Sequence, residues 1–177
     1  MTSTHGALHI DWGLPQDFRI HTERMDLVPA GPDLVDTDWG DHARLSQLLG
    51  ARVPDRWPPD LVADRNSADG AGWWDWYVVK RGGDAPILIG VMGLKGWPAV
   101  SRSLQLGCAF LPAFHGQGYG TEAVQALTSW ALAQTRIQQV LAEVPADNSA
   151  SAAVLRKLGF VELNRGEDDG FLQFEKR

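Results

Sequence analysis

Apolar positions along the chain recur with two periods, one of two residues and one near 3.6, and the switches between them mark out the elements. Met25-Asp-Leu-Val-Pro29 is predicted as a first strand that runs out at its proline. Trp39 to Leu49 sets Leu45, Leu48 and Leu49 on one helical face and stops at Gly50. Val53-Pro-Asp-Arg-Trp-Pro-Pro59 reads as a stiff connector. Pro59 can open a short helix through Leu61 and Val62, ended by the polar Asp64-to-Gly72 stretch. Trp74 to Val79 and Ile87 to Leu94 are two strands joined at Arg81-Gly-Gly-Asp-Ala-Pro86, a hairpin turn by its Gly-Gly-Asp. Lys95 to Ser103 turns the chain into a third strand over 104–111, apolar at Leu104, Leu106, Cys108 and Phe110. Cys108 alternates with core positions there and is expected to be buried. Short polar turns between successive strands predict an antiparallel meander. A helix with Val124, Leu127 and Ala131 on one face follows, then a short strand, Val140 to Val144. A second helix is capped by Asp147 or Asn148, carries Val154, Leu155 and Leu158, and ends at Gly159. Phe160 to Leu163 and Phe171 to Phe174 close a hairpin around Gly166 to Gly170. Residues 1–20 show no clean period and read as an N-terminal arm on a single mixed α/β domain, residues 21–177.

Between the third strand and its helix lies Leu111-Pro-Ala-Phe-His-Gly-Gln-Gly-Tyr-Gly-Thr121. Pro112 stops the strand's hydrogen bonding, and Gly116, Gly118 and Gly120 follow at alternate positions. With no Cβ to crowd the turn, Gly118 and Gly120 are expected to adopt positive φ and let consecutive backbone N–H groups converge. The helix that begins there aims its positive end at the same point, which makes an anion site, most often for phosphate or pyrophosphate. No lysine follows any of these glycines in the register of a P-loop. Gly118-Tyr-Gly120-Thr-Glu-Ala123 does satisfy the dinucleotide fingerprint, with Glu143 about twenty residues beyond Ala123. Pro112 and the residues after it separate strand from glycines, and the chain beyond Glu143 is short for further βα units. Both count against a dinucleotide-dependent oxidoreductase.

His115-Gly-Gln-Gly-Tyr-Gly120 resembles the Q/R-x-x-G-x-G/A signature of the GNAT N-acetyltransferase superfamily. Asn148-Ser-Ala-Ser-Ala-Ala-Val-Leu-Arg-Lys-Leu-Gly-Phe160 resembles its N-x-x-S segment and the K-x-G-F that closes the following helix. Thr22-Glu-Arg-Met-Asp-Leu27 resembles the first strand of the branch that includes ribosomal-protein N-terminal (alanine/serine) acetyltransferases. The three stand in the family's order over nearly the whole chain. The resemblance implies a central, mostly antiparallel sheet split at the cofactor site and flanked by helices. It also implies acetyl-coenzyme A as cosubstrate and transfer of acetyl to a primary amine by direct attack.

On that resemblance the backbone of Gly116, Gln117, Gly118, Tyr119, Gly120 and Thr121 holds the pyrophosphate. Phe110 and Leu111 then pair with the pantetheine arm and polarise the acetyl carbonyl. Asn148 bonds the cofactor near the split or only caps its helix. Relatives often carry tyrosine at the position of Leu155 as the acid for the departing thiolate; here Ser151, one turn from Asn148, or a water takes that role. Branch members often carry glutamate where this chain has Gln105. Glu143, Asp75 and Tyr77 remain as bases, and the missing glutamate tilts toward an α-amine acceptor, which needs least help with its proton. His115 reads as a loop residue near the cofactor. Trp57, Trp73, Trp74, Trp76 and Trp97 fall in or beside the segments where an acceptor pocket is expected, though core packing is expected to claim at least half of them; Gln105 lies beside it, while Glu167, Asp168 and Asp169 form an acidic turn.

Composition changes this picture mainly by exclusion. The 177 residues fit one domain with a real core. Apolar residues make up 44% without a run of membrane-spanning length, so no membrane association is expected. Met1-Thr-Ser-Thr-His-Gly lacks the regions of a signal peptide, and a cytoplasmic protein is expected. A single cysteine excludes an internal disulfide and a cysteine metal cluster. The five histidines show i, i+4 spacing only at His5 and His9, so no metal is expected. A net charge of −6 argues against nucleic acid. The partner expected is the amine acceptor, a protein N-terminus or a small molecule, with the enzyme a monomer or homodimer. The missing tyrosine and glutamate leave open a non-catalytic acyl-coenzyme A binding module of the same fold.

Overall fold

In the computed structural model, which describes residues 13–31, 34, 41–58, 76–96, 101–163 and 170–177, the period-two segments become strands. They are β1 (Ile20–His21), β2 (Met25–Pro29), β3 (Trp76–Lys80), β4 (Ile87–Lys95), β5 (Ser103–Phe110), β6 (Gln139–Pro145), β7 (Val161–Leu163) and β8 (Phe171–Lys176). Helices α1 (His42–Leu49), α2 (Tyr119–Leu132) and α3 (Ser149–Lys157) and a 3-10 turn over Pro112–Phe114 complete the described elements. Trp39, the helix expected after Pro59, Trp73 to Asp75, Trp97 and the acidic turn at Glu167 to Asp169 lie outside the described residues.

One sheet runs in the order β1-β2-β3-β4-β5-β6-β8-β7. The expected meander from β2 to β5 is antiparallel throughout. Among the described strands only β5 and β6 pair in parallel, because α2 carries the chain back across the sheet between them; Arg52 adds one isolated parallel bridge to Ile87. This single parallel pair ends the dinucleotide alternative, whose doubly wound sheet needs several. The closing hairpin attaches through its second strand: β8 lies against β6 and leaves β7 at the edge.

Both faces of the first half of the sheet are covered. Trp76 and Val78 on β3 face one hydrophobic core with Val124 and Leu127 of α2. Tyr77 and Val79 face a second with Leu45 and Leu49 of α1. That double burial is why β3 reads as a continuous apolar run rather than an alternation. Asp41 caps α1 by accepting from the Arg44 N–H at 2.8 Å, and Gly50 ends it in the left-handed conformation. From residue 13 onward the segment read as an arm joins the packing: Leu14, Phe18 and Ile20 lie against the first core, and β1 pairs with β2.

Candidate active site

The parallel ladder between β5 and β6 runs from Ser103↔Gln139 to Leu106↔Ala142 and stops, although both strands continue. β5 stays with β4 as far as Phe110↔Gly90, and β6 stays with β8 as far as Pro145↔Phe171. The sheet therefore splits into a wedge that opens toward the C-terminal ends of its two parallel strands. The Leu111 N–H donates to Ile89 O on β4 at 2.9 Å. Strand groups alternate sides, so those of Cys108 and Phe110 point the other way, into the wedge. The Phe110 carbonyl is engaged there by His115 Nε2 at 2.8 Å. The N–H groups of Cys108 and Phe110 and the Cys108 carbonyl have no register partner on β6. The ring of Phe110 needs small neighbours. A Cβ on Gly90 would meet it at 2.7 Å, whereas one on Gly120 would stand in ordinary contact at 3.7 Å.

The split also corrects the expectation for Cys108. Its side chain is exposed, because no β6 residue covers the strand beyond Leu106.

Beyond the strand, Pro112–Phe114 forms a single 3-10 turn and the chain enters α2 through Gly116 (φ 71°) and Gly118 (φ 82°). Gly118 occupies the N-cap position with no side-chain cap. The first intrahelical bond is Glu122 N–H to Gly118 O, so the N–H groups of Tyr119, Gly120 and Thr121 have no acceptor within the helix. Gly120 is not among the positive-φ residues, contrary to expectation: it is already helical. An open depression of about 540 Å³ beside this terminus brings Arg24, Lys157 and Lys176 to its rim together with two carboxylates, Glu23 and Glu122, the latter paired with Arg24.

Arg24 ties the first strand to this loop. Its Nε donates to Glu122 Oε2 at 2.7 Å, its backbone N–H to Glu122 Oε1 at 2.8 Å, and Nη1 to Gln117 O at 2.9 Å. The guanidinium carbon stands 4.3 Å from the centroid of the Tyr119 ring. The hydrogen bond to Glu122 raises the Arg24 pKa further. Burial pushes Glu122 up, but hydrogen bonds from Thr22 and from the Arg24 backbone and side chain outweigh it and hold the carboxyl below its ordinary value. The Thr22-Glu-Arg24 motif is visible in the sequence, but this role is not. The partners lie 98 residues apart, where no local spacing reveals them.

On the face of β6 turned away from α2, Glu143 is the first residue past the last paired one, so its carboxylate stands at the vertex of the wedge. It is exposed, and two glutamines hold it: Gln173 Nε2 at 2.8 Å and Gln105 Nε2 at 3.4 Å. Gln105 thus supports a carboxylate two strand positions beyond its own β6 partner, Leu141, instead of supplying one. The other base candidate described, Tyr77, is buried and donates to Leu34 O at 3.4 Å.

Asn148 caps α3 at the mouth of the wedge through Oδ1, which accepts from the Ser151 N–H at 3.1 Å. The cap uses the oxygen and leaves the amide donors available to a ligand. Asn148→Ala should therefore lower stability by about 1 kcal/mol, read from denaturant melts, in addition to any change in ligand affinity. Ser151 sits half-buried on the first turn, and Leu155 below it is buried and offers no hydroxyl. Trp57 and Trp76, expected at an acceptor pocket, pack into the two cores instead. Trp57 lies against Tyr77, while Trp76 is fully buried beside Phe18 and Trp130. Among the described residues no group of three or more His, Cys, Asp or Glu is placed to hold a metal ion, and no helix is long and apolar enough to cross a membrane.

A family model described as an acetyltransferase (GNAT) domain matches residues 39–161. The N-acetyltransferase YjdG of Bacillus subtilis (strain 168), itself uncharacterized, is 27% identical over 154 residues, 80% of this chain and 89% of that protein. An acetyltransferase from Agrobacterium tumefaciens strain C58 has a similar fold, with a TM-score of 0.55, 21% identity and coverage of 96% and 98% of the two chains. RimL, a ribosomal L7/L12 α-N-protein acetyltransferase solved with coenzyme A held by a cysteine disulfide, superposes with a TM-score of 0.57 at 14% identity, covering 90% of this chain and 97% of that one.

Proposed function

The chain belongs to the GNAT acetyltransferase family, and on that footing we propose that it is an N-acetyltransferase that uses acetyl-coenzyme A and acylates a primary amine by direct attack. The observation that carries this reading is the split between β5 and β6, with an uncapped helix N-terminus at its mouth and an exposed carboxylate at its vertex. An elongated ligand ending in a pyrophosphate fits such a site. The wedge offers strand-like donors and an acceptor along its length, and the convergent N–H groups of Gln117 to Thr121 meet the anion.

Bound acetyl-coenzyme A supplies an activated thioester carbonyl. The chain's own groups do the rest. The Phe110 N–H, aimed into the wedge, stabilises negative charge that develops on the carbonyl oxygen. Glu143 takes the proton of the acceptor's ammonium, directly or through one water, so that the neutral amine attacks; the nitrogen's second proton leaves to solvent or to the departing thiolate as the amide forms, and the two glutamine donors keep Glu143 oriented without being able to accept a proton themselves. Ser151 donates a hydrogen bond to the departing thiolate; a thiol of pKa about 8.5 needs little more.

The acceptor we propose is the α-amine of a polypeptide. RimL is named for that acceptor, and an α-amine of pKa about 7.7–8.0 surrenders its proton to a solvent-exposed carboxylate more readily than a lysine at about 10.4. The open face around Glu143 suits an extended peptide. The test is thiol release from acetyl-coenzyme A across a panel of N-terminal peptides and small amines. Turnover should be fastest with peptides bearing a free α-amine and absent with their blocked forms. Coenzyme A binding with no turnover on any amine would overturn this reading. Within the panel, Ser151→Ala should slow single-turnover transfer by about tenfold with little change in cofactor affinity, because the bond strengthens as charge reaches sulfur. A wild-type single-turnover rate would leave water as the proton source.

A further inference from the structure

We propose that Arg24 is a positioning residue for the anion loop: it fixes the Gln117–Gly118 peptide so that the Gly118 N–H faces the anion, and it cancels the charge of Glu122 beside that anion. The inference rests on the reading of this loop as the pyrophosphate site.

The carbonyl and N–H of a planar trans peptide point in opposite directions. With the Gln117 carbonyl held out by Arg24 Nη1 at 2.9 Å, the Gly118 N–H is turned to the other side, toward the helix terminus where the anion binds. The loop's own bond from Gln117 Nε2 to Ala113 O at 2.9 Å anchors the side chain and not this peptide. Gly118 stands at φ 82°, and glycine tolerates either sign of φ, so the peptide before it can flip at small cost. Gly118 is also the N-cap without a side chain, so it cannot organise its own turn. The guanidinium packs directly on the site, since a Cβ at Gly118 would lie 3.3 Å from Arg24 Nη2.

The second part concerns charge. Glu122 sits in the first turn of α2, where a carboxylate favours the helix but repels an anion bound at the same end. Its bonds to Thr22 and Arg24 outweigh burial and keep it ionised at neutral pH. Arg24 contacts both of its oxygens and makes the pair neutral. The two duties need the arginine fork: Nε serves Glu122 while Nη1 reaches Gln117 O, and one lysine ammonium cannot hold both directions.

Coenzyme A titrated calorimetrically into wild type, Arg24→Gln, Arg24→Lys and the Arg24→Gln/Glu122→Gln double variant tests this, alongside acetyl-transfer kinetics and melting temperatures. Arg24→Gln should weaken coenzyme A binding and raise KM for acetyl-coenzyme A by about tenfold or more, with kcat changed by less than about threefold. The double variant should recover part of the loss, because the repulsion is gone while the peptide remains unlocked. Arg24→Lys should fall between wild type and Arg24→Gln. A melting-temperature change with wild-type Kd and KM, in Arg24→Gln or in Arg24→Lys if the former does not fold, would show a purely structural tie and overturn the inference. Full recovery in the double variant would overturn the peptide lock. Wild-type protein that fails to bind coenzyme A removes the loop assignment itself, a result visible before any variant is made.

Discussion

Gly118→Val should lower coenzyme A affinity by at least about 100-fold while the protein remains folded. Two effects combine. Gly118 holds φ 82°, a conformation that costs a β-branched residue about 1–3 kcal/mol, and relief of that strain moves the N–H groups that converge on the anion. The new Cβ also presses on Arg24 Nη2 from 3.3 Å, so the guanidinium that clamps Gln117 and Glu122 must give by a few tenths of an ångström. Gly120→Ala supplies the contrast. Gly120 lies within α2 without positive φ, and its Cβ would find only the Phe110 ring at 3.7 Å, an ordinary contact. Calorimetry on both variants, with melting temperatures to confirm folding, separates backbone conformation from mere bulk. Wild-type affinity in a folded Gly118→Val protein would remove the loop from the site.

The second large effect is expected at Glu143. Glu143→Gln should slow acetyl transfer by about 100-fold in single turnover at neutral pH, the usual contribution of a positioned general base. Coenzyme A affinity should hold, because the substituted side chain lies at the vertex of the wedge and not along the anion loop. The loss should be larger for a lysine-like amine than for an α-amine, since the former carries its proton more tightly at neutral pH. Amide rotation lets the introduced glutamine keep hydrogen bonds with Gln105 and Gln173, so stability should change little. An enzyme that transfers acetyl at the wild-type rate with both classes of amine would place the base elsewhere.

Much of the fold follows from the order of residues alone. Leu45 and Leu49 before Gly50 define α1, and alternation at Leu104 and Leu106 defines β5. Asn148 before an apolar helical face announces the start of α3. Each is local: a side chain's direction repeats every two or 3.6 residues, and capping groups act within a turn. The glycine loop was legible for the same reason, since backbone freedom belongs to the residue that has it. Gly116 and Gly118 use that freedom, whereas Gly120 is taken into the helix.

Tertiary structure decided what covers each face and which distant groups meet. Cys108 has the alternation of a core residue, yet it is exposed because β6 leaves β5 after Ala142, a matter of register between strands. Trp76 was expected near an acceptor pocket, yet α2 and Phe18 close over it and it lies in the core. Glu143 was one of three base candidates in the sequence, but its two glutamine partners were not visible there: β8 beside β6 brings Gln173 within 2.8 Å of it. Arg24 and Glu122 met because β2 and α2 pack on one another across 98 residues of chain. Periodicity specifies an element and its apolar side; coverage, charge pairing and the split in the sheet depend on contacts between elements far apart in the chain, which no local pattern records.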